Sequence, residues 1–373
     1  GMRDEAKGMR GEGRGGVVRY VGRLSSPDFP SAKVGRGSRE GEGHPSSLIP
    51  QPCILSRRRP ARSVWLDEGI LCVKVGVILP LGAAEGQADP RPYAELRDLA
   101  LQAERDGFDS VWVYDHLLYR FPDRPHFGIW EGWTIFSALC EATSRVELGQ
   151  LVMCAAWRNP ALLAKMAITA DEVSGGRVIL GLGAGWHQPE FEAFGYPYHH
   201  LAGQFEEALS IVKPLLRDGT ADEQGEFFVA NDCAMIPRGP RPGNPPVLVA
   251  SRGPRMLRLT AERADMWNAA WFGGTRLFEE RLAEMTAACE AAGRDPATLA
   301  MTVGINVAFR RLASAPAENL DPERFLQGSP EEVARGLKAF ADLGVAHAIC
   351  NPAPSNSATF AALAEALAIY RTL

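Results

Sequence analysis

The chain has 373 residues, 46% of them hydrophobic, and a formal net charge of −5, which is ample for one large core or two smaller ones. It holds no uninterrupted apolar run of the roughly 18 residues that a membrane-spanning helix needs. Its seven cysteines, Cys53, Cys72, Cys140, Cys154, Cys233, Cys289 and Cys350, are scattered, odd in number and nowhere spaced as C-x-x-C; this argues against a zinc site or a disulfide framework and for a reducing cytoplasm.

The charge is unevenly divided. Residues 1–70 hold 13 Lys/Arg against 8 Asp/Glu, and the remainder 27 against 37. A basic tail can serve nucleic acid, but this one lacks interleaved aromatics and its arginines are diluted by glycine and serine, so no nucleic-acid partner is expected. The same stretch shows no sustained apolar period and cannot bury enough surface to offset chain entropy. Residues 1–72 are therefore expected to be a disordered or non-native N-terminal extension. Gly1 ahead of Met2 reads as a leftover of cloning, no secretory apolar core is present, and a native start is expected near Val73.

From Cys72 the chain becomes regular. Strands are expected at 73–80, 110–114, 146–153, 178–182, 247–250, 266–269, 300–308 and 346–350, and helices at 91–105, 130–141, 160–173, 204–217, 254–263, 277–292, 330–343 and 357–370. Eight alternations over about 300 residues fit a (β/α)8 TIM barrel with insertions, forming one domain over residues 73–373. A doubly wound open sheet competes, but the glycine-rich first turn it needs for a dinucleotide is missing. Residues 187–245 read as an insertion, with 225–229 as an edge strand.

Residues 160–186 set the pattern for the whole. Asn159 can cap a helix and Pro160 fits its first position. Leu162, Leu163, Met166, Ala167, Ala170 and Val173 recur at helical spacing as one apolar face, and Ser174-Gly175-Gly176 ends it. Asp171 and Arg177 are expected to pair at the turn. The strand from Arg177 to Leu182 is apolar at consecutive positions, so both of its faces should be buried. It leaves through Gly183-Ala184-Gly185-Trp186, with little side-chain bulk where a ligand can approach the backbone.

In such barrels the chemistry lies in loops after the strands. There the sequence offers Asp115-His116 after the second strand, Gly185-Trp186 and Glu190 after the fourth, and Ala250-Ser251-Arg252-Gly253 after the fifth, running into a helix whose free N–H groups can bind phosphate. Trp130, Trp133, Trp157, Trp186, Trp271 and Phe272 form an aromatic set that suits a planar or apolar small-molecule substrate. His199-His200 has no carboxylate at metal spacing, and no metal is expected.

Asp115-His116, Trp133, Thr143 to Gly149, Arg158-Asn159-Pro160 with Lys165, Ser174 to Arg177, Leu180 to Trp186 with Glu190, and Ala250 to Pro254 with Ala264-Asp265 together resemble the luciferase-like monooxygenase family. Within it they are most similar to the oxidoreductases that use the deazaflavin coenzyme F420. The resemblance runs over residues 73–373 and implies a flavin-type ring at the C-terminal mouth of the barrel. Leu151 and Val152 match a bulge, often with a non-proline cis peptide, that supports the ring. Ala250, Ser251, Arg252 and Gly253 match the backbone that receives the cofactor phosphate. His116 matches a histidine at the reactive edge, and Asp115, Gly185 and Trp186 fall beside the same cofactor. Trp133, Glu190 and Trp271 fall on the substrate side. Arg120 and Arg124 are placed to meet the cofactor's acidic tail.

Two departures stand out. The sugar-phosphate dehydrogenase branch has tryptophan four residues after the histidine and glutamate after the glycine run, where this chain has Arg120 and Trp186; a glucose-6-phosphate-type substrate does not follow. The alternative reading from the same family is a monooxygenase that uses FMN and oxygen, with a partner reductase supplying reduced flavin. A non-enzyme reading is a barrel that carries flavin without turnover. The resemblance also implies a homodimer.

Overall fold

Strand and helix alternate along the chain until the last strand meets the first. In the computed structural model, which describes residues 73–84, 87–122, 126–241, 243–312 and 320–373, the strands are β1 (Lys74–Ile78), β2 (Ser110–Val113), β3 (Glu147–Gln150), β4 (Met153–Cys154), β5 (Val178–Gly183), β6 (Thr220–Gln224), β7 (Val229–Ala234), β8 (Val247–Ala250), β9 (Met266–Phe272), β10 (Ala300–Phe309), β11 (Leu326–Gly328) and β12 (His347–Pro352). The ring runs β1-β2-β3-β5-β8-β9-β10-β12 and back to β1, with every pairing parallel, so eight strands form a closed (β/α)8 barrel. The extension expected over residues 1–72, and Arg124, lie outside the described residues.

Helices α1 (Tyr93–Arg105), α2 (Gly132–Ala142), α3 (Pro160–Ser174), α4 (Gln188–Phe194), α5 (Leu201–Arg217), α6 (Pro254–Arg263), α7 (Arg276–Ala291), α8 (Pro330–Asp342) and α9 (Ser357–Tyr370) connect the strands. No helix among the described residues is long and apolar enough to cross a membrane. Asn159 accepts a hydrogen bond from Leu162 N at 3.0 Å, and Gly175 ends α3 in the left-handed region, as the sequence anticipates. All six residues of β5 are buried.

The buried face of α3 is the expected one only in part. Leu163, Ala167 and Ala170 are buried as expected, but Leu162 and Val173 are half-exposed, and the helix also buries Ala164, Ile168, Asp171 and Ser174. A charged residue sits in the buried stripe because Asp171 is fully partnered there. Its oxygens take Arg241 Nε and Nη2 at 2.9 and 2.8 Å and the Val178 N–H at 3.1 Å. Arg177, the partner expected from sequence, instead donates to the carbonyls of Cys140, Thr143, Val146 and Ser174 and so ties β5 to the end of α2.

Residues 187–245 hold α4, α5 and the antiparallel hairpin β6–β7. Residues 225–228, expected as part of an edge strand, form the hairpin's turn: the Glu207 carboxylate accepts the N–H groups of Glu226, Phe227 and Phe228 at 2.8 to 3.0 Å. Their aromatic content mimics a strand, but a carboxylate that collects three successive N–H groups leaves none for a ladder.

Inside the barrel the Trp112 indole fills the axis against Gly149; a Cβ on that glycine would lie 2.2 Å from the ring. Trp112 Nε1 donates to Ser110 Oγ at 2.7 Å, and the same hydroxyl shares a hydrogen bond of 2.7 Å with His347 Nε2. Burial, with Lys74 adding to it, pushes the His347 imidazole down to about 3, and the ring stays neutral.

Candidate active site

The strand expected at 146–153 breaks into β3 and β4, and between them the Leu151–Val152 peptide is cis and not before proline. Leu151 is buried and Val152 half-buried, with a Val152 methyl 2.6 Å from where a Cβ on Gly183 would sit. Gly183 on β5 and Ala250 on β8 continue this low surface, so one side of the mouth is built from small side chains.

Under the loop after β2, the Asp115 side chain is completely buried and bound by Arg158 at 2.6 and 3.0 Å and by the Cys154 N–H at 2.9 Å. Arg158 also donates to Glu131 at 2.7 Å, and Glu131 caps α2 through the N–H groups of Trp133 and Thr134. Burial works against the Arg158 cation, but Asp115 and Glu131 outweigh it and hold the guanidinium charged above its ordinary range. The Asp115 carboxylate therefore anchors the loop to β4 from below.

His116 follows directly. Its Nδ1 lies 2.9 and 3.1 Å from the two oxygens of Glu190, which also accepts the N–H groups of Leu117 and Leu118 at 2.7 and 2.9 Å. Glu190, in the first turn of α4, has a side chain only 1% exposed. An ionised carboxylate can only accept, so Nδ1 carries hydrogen and neutral His116 offers Nε2 as its basic nitrogen. Glu190, expected on the substrate side, sits behind the imidazole and holds it.

Aromatic rings pen the histidine in. The Tyr119 ring centroid is 4.5 Å away and Trp186 meets it edge-on at 5.7 Å. Tyr119 in turn packs on Phe121 and Phe127, and burial raises its phenol so that it stays protonated. Trp186 is 60% exposed and stands at the open edge, its carbonyl accepting from Tyr198 Oη at 2.9 Å. Gly185 turns with φ 87°, and a Cβ there would lie 2.7 Å from both Cys154 Sγ and the Phe191 ring.

At the phosphate corner, Arg252 and Gly253 are exposed and lead into α6. Gly253 has φ 80° with open space around its missing Cβ. The first N–H groups of a helix have no intrahelical partner and favour an anion. Arg252 makes no ion pair among the described residues, whereas Arg255 in the first turn is engaged by Glu206 at 2.7 Å. Ser251 Oγ bonds Thr260 Oγ1 at 2.8 Å.

The aromatic set is dispersed. Trp157 is buried against Phe191 and Tyr196, Phe272 against Phe278, and Trp133 packs on Phe136. Trp130 binds the Arg91 carbonyl at 2.7 Å, and Trp271 lies over Gly304. Arg120 is exposed, its backbone N–H 3.5 Å from His187 Nε2. Among the described residues no cluster of three or more His, Cys, Asp or Glu could hold a metal ion. Sequence reasoning passed over Arg158 as a charge anchor, Tyr119, and the asparagines Asn306 and Asn351 at the ends of β10 and β12.

Residues 73–326 match the sequence profile of the luciferase-like monooxygenases. The chain is 30% identical over 239 residues to an F420-dependent glucose-6-phosphate dehydrogenase of Kineococcus radiotolerans, covering 62% of this chain and 68% of that one. It is also 30% identical over 217 residues to the pyrimidine monooxygenase RutA of Cronobacter sakazakii, covering 56% and 61%. A solved F420-dependent secondary alcohol dehydrogenase, in complex with an F420-acetone adduct, shares the fold with a TM-score of 0.65 at 20% identity, covering 80% of this chain and 99% of that one. With the profile extending over more than half of its length, on a closed parallel barrel, the chain belongs to the luciferase-like monooxygenase family.

Proposed function

We propose that this enzyme transfers a hydride between the deazaflavin coenzyme F420 and a small organic substrate, with His116 moving the accompanying proton through Nε2. The observation that carries this reading is the Glu190-held imidazole at the barrel mouth, across from a floor of small residues at the ends of β3, β5 and β8. A bound deazaflavin would supply the hydride chemistry. Leu151, Val152 and Gly183 are the floor on which a flat ring would rest, and the exposed Arg252-Gly253 corner at the start of α6 fits an anionic group. Asp115 and Glu190 keep the histidine loop in register from beneath and behind, and Trp186 and Tyr119 restrict water around the ring.

A second reading, an FMN-dependent monooxygenase with a partner reductase, is favoured by the similarity to the pyrimidine monooxygenase. Against it stands the phosphate corner, where Arg252 makes no ion pair among the described residues while Glu206 engages Arg255. The family likeness extends the reading to a cytoplasmic homodimer, which gel filtration tests. Spectral titration with F420 and with FMN tests the cofactor. F420 is expected to bind in the micromolar range or tighter; binding of FMN alone overturns the assignment.

A further inference from the structure

The mouth has a second wall that the cofactor reading does not use. Along β10, Thr302, Gly304 and Asn306 alternate toward the barrel axis, and along β12, His347, Ile349 and Asn351 do the same. Thr302 bonds the buried Asn268 inside the barrel, and Ile349 packs against the Trp112 cluster, which fixes the direction of both rows. Asn306 and Asn351 are register partners at the C-terminal ends of neighbouring strands, and both are half-buried.

Hydrogen-bond direction along this pair is determined by one atom. The Arg324 carbonyl can only accept, so the Asn306 group 3.1 Å from it is the amide nitrogen Nδ2. Asn306 Oδ1 therefore faces Asn351, and Asn351 Nδ2 donates to it at 2.9 Å. Asn351 Oδ1 is left as an acceptor without a partner among the described residues. Only β1 separates β12 from β2, so this acceptor and the His116 loop stand about two strand spacings, or about 10 Å, apart.

We propose that Asn351, oriented by Asn306, selects the substrate: its Oδ1 accepts an O–H or N–H of the bound molecule, and the enzyme prefers substrates carrying such a donor over otherwise equal ones without it. This rests on the reading of the barrel mouth as the substrate site and adds the chemical class that the site recognises. A site built around a hydrogen bond discriminates sharply against analogues that lack it, because the protein group is then left unpaired.

The test uses phenol and anisole, two flat probes that differ by O–H against O–CH3, with dissociation constants measured by ligand-observed NMR on the full chain with and without F420. Wild type is expected to bind phenol about tenfold more tightly than anisole. Asn351→Leu should abolish the preference by weakening phenol binding to the level of anisole. An unchanged preference in that variant, or none in wild type, overturns the proposal. Should Asn351→Leu fail to fold, Asn306→Leu removes the acceptor that orients Asn351, and an unchanged preference there is equally contradictory. A phenol preference that survives while F420 fails to bind removes the deazaflavin assignment and leaves the role of Asn351 standing.

Discussion

His116 Nδ1 lies 2.9 Å from a Glu190 oxygen, and the two residues come from distant elements, one from the loop after β2 and the other from α4, which follows β5. The same carboxylate holds the N–H groups of Leu117 and Leu118, so one buried group sets both the tautomer of the imidazole and the path of the chain that carries it. Glu190→Leu should therefore lower kcat by about 100-fold while changing cofactor affinity little. Glu190→Gln, which can still accept a hydrogen bond, should recover part of the loss. Steady-state kinetics with 15N NMR of the His116 ring checks this; wild-type kcat in Glu190→Leu would contradict it.

Trp186 lies at the mouth, not in the core. With 60% of its surface exposed, Trp186→Ala should change stability by less than about 0.5 kcal/mol. The dissociation constant for cofactor or substrate should rise several-fold. Urea denaturation beside a binding titration separates the two; a large loss of stability with unchanged binding would place Trp186 in the scaffold.

Asp171 is the test of the corrected ion pair. Its side chain is fully buried and its charge is met by Arg241, whose side chain is 26% exposed. Removing one partner of a buried pair leaves a charge without compensation, so Arg241→Ala should destabilise the fold by about 3 kcal/mol. Urea midpoints provide the measurement, and a loss below about 1 kcal/mol would show that solvent replaces the guanidinium.

His347 gives the fold an acid sensitivity. Its imidazole is pushed by burial from 6.5 down to about 3, so the unfolded chain binds this proton below about pH 6.5 and the native state does not until about pH 3. Stability from this group is complete above that window and declines as pH falls through it, by up to about 1.4 kcal/mol per pH unit. Between pH 7 and 5 the urea midpoint of wild type should therefore fall more steeply than that of His347→Asn. Equal slopes, or a His347 ring that titrates above pH 5 by NMR, would contradict this.

Much of the scaffold was legible because it is written in local signals. The Asn159 cap, the Gly175 stop and the consecutive apolar residues of β5 each act within a few positions of themselves. Part of the α3 face escapes periodicity because Asp171 is buried by a partner 70 residues away, which local spacing cannot register. At the site, His116 and Glu190 are both visible as residues at strand ends, but 74 positions separate them and no spacing rule joins them. Asn306 and Asn351 are hidden for a similar reason: each is an ordinary polar residue in the C-terminal half of an apolar strand, and only register brings them together.

The central claim is that His116 moves a proton in a hydride transfer that needs no oxygen. Reduced F420 mixed anaerobically with wild type and a panel of small ketones and aldehydes, followed by the cofactor's visible absorbance, tests it most directly. Wild type should oxidise the cofactor with oxygen excluded, and His116→Ala should bind F420 with unchanged affinity yet react about 100-fold more slowly. Product formed only when oxygen is admitted, or an undiminished rate in His116→Ala, would contradict the account.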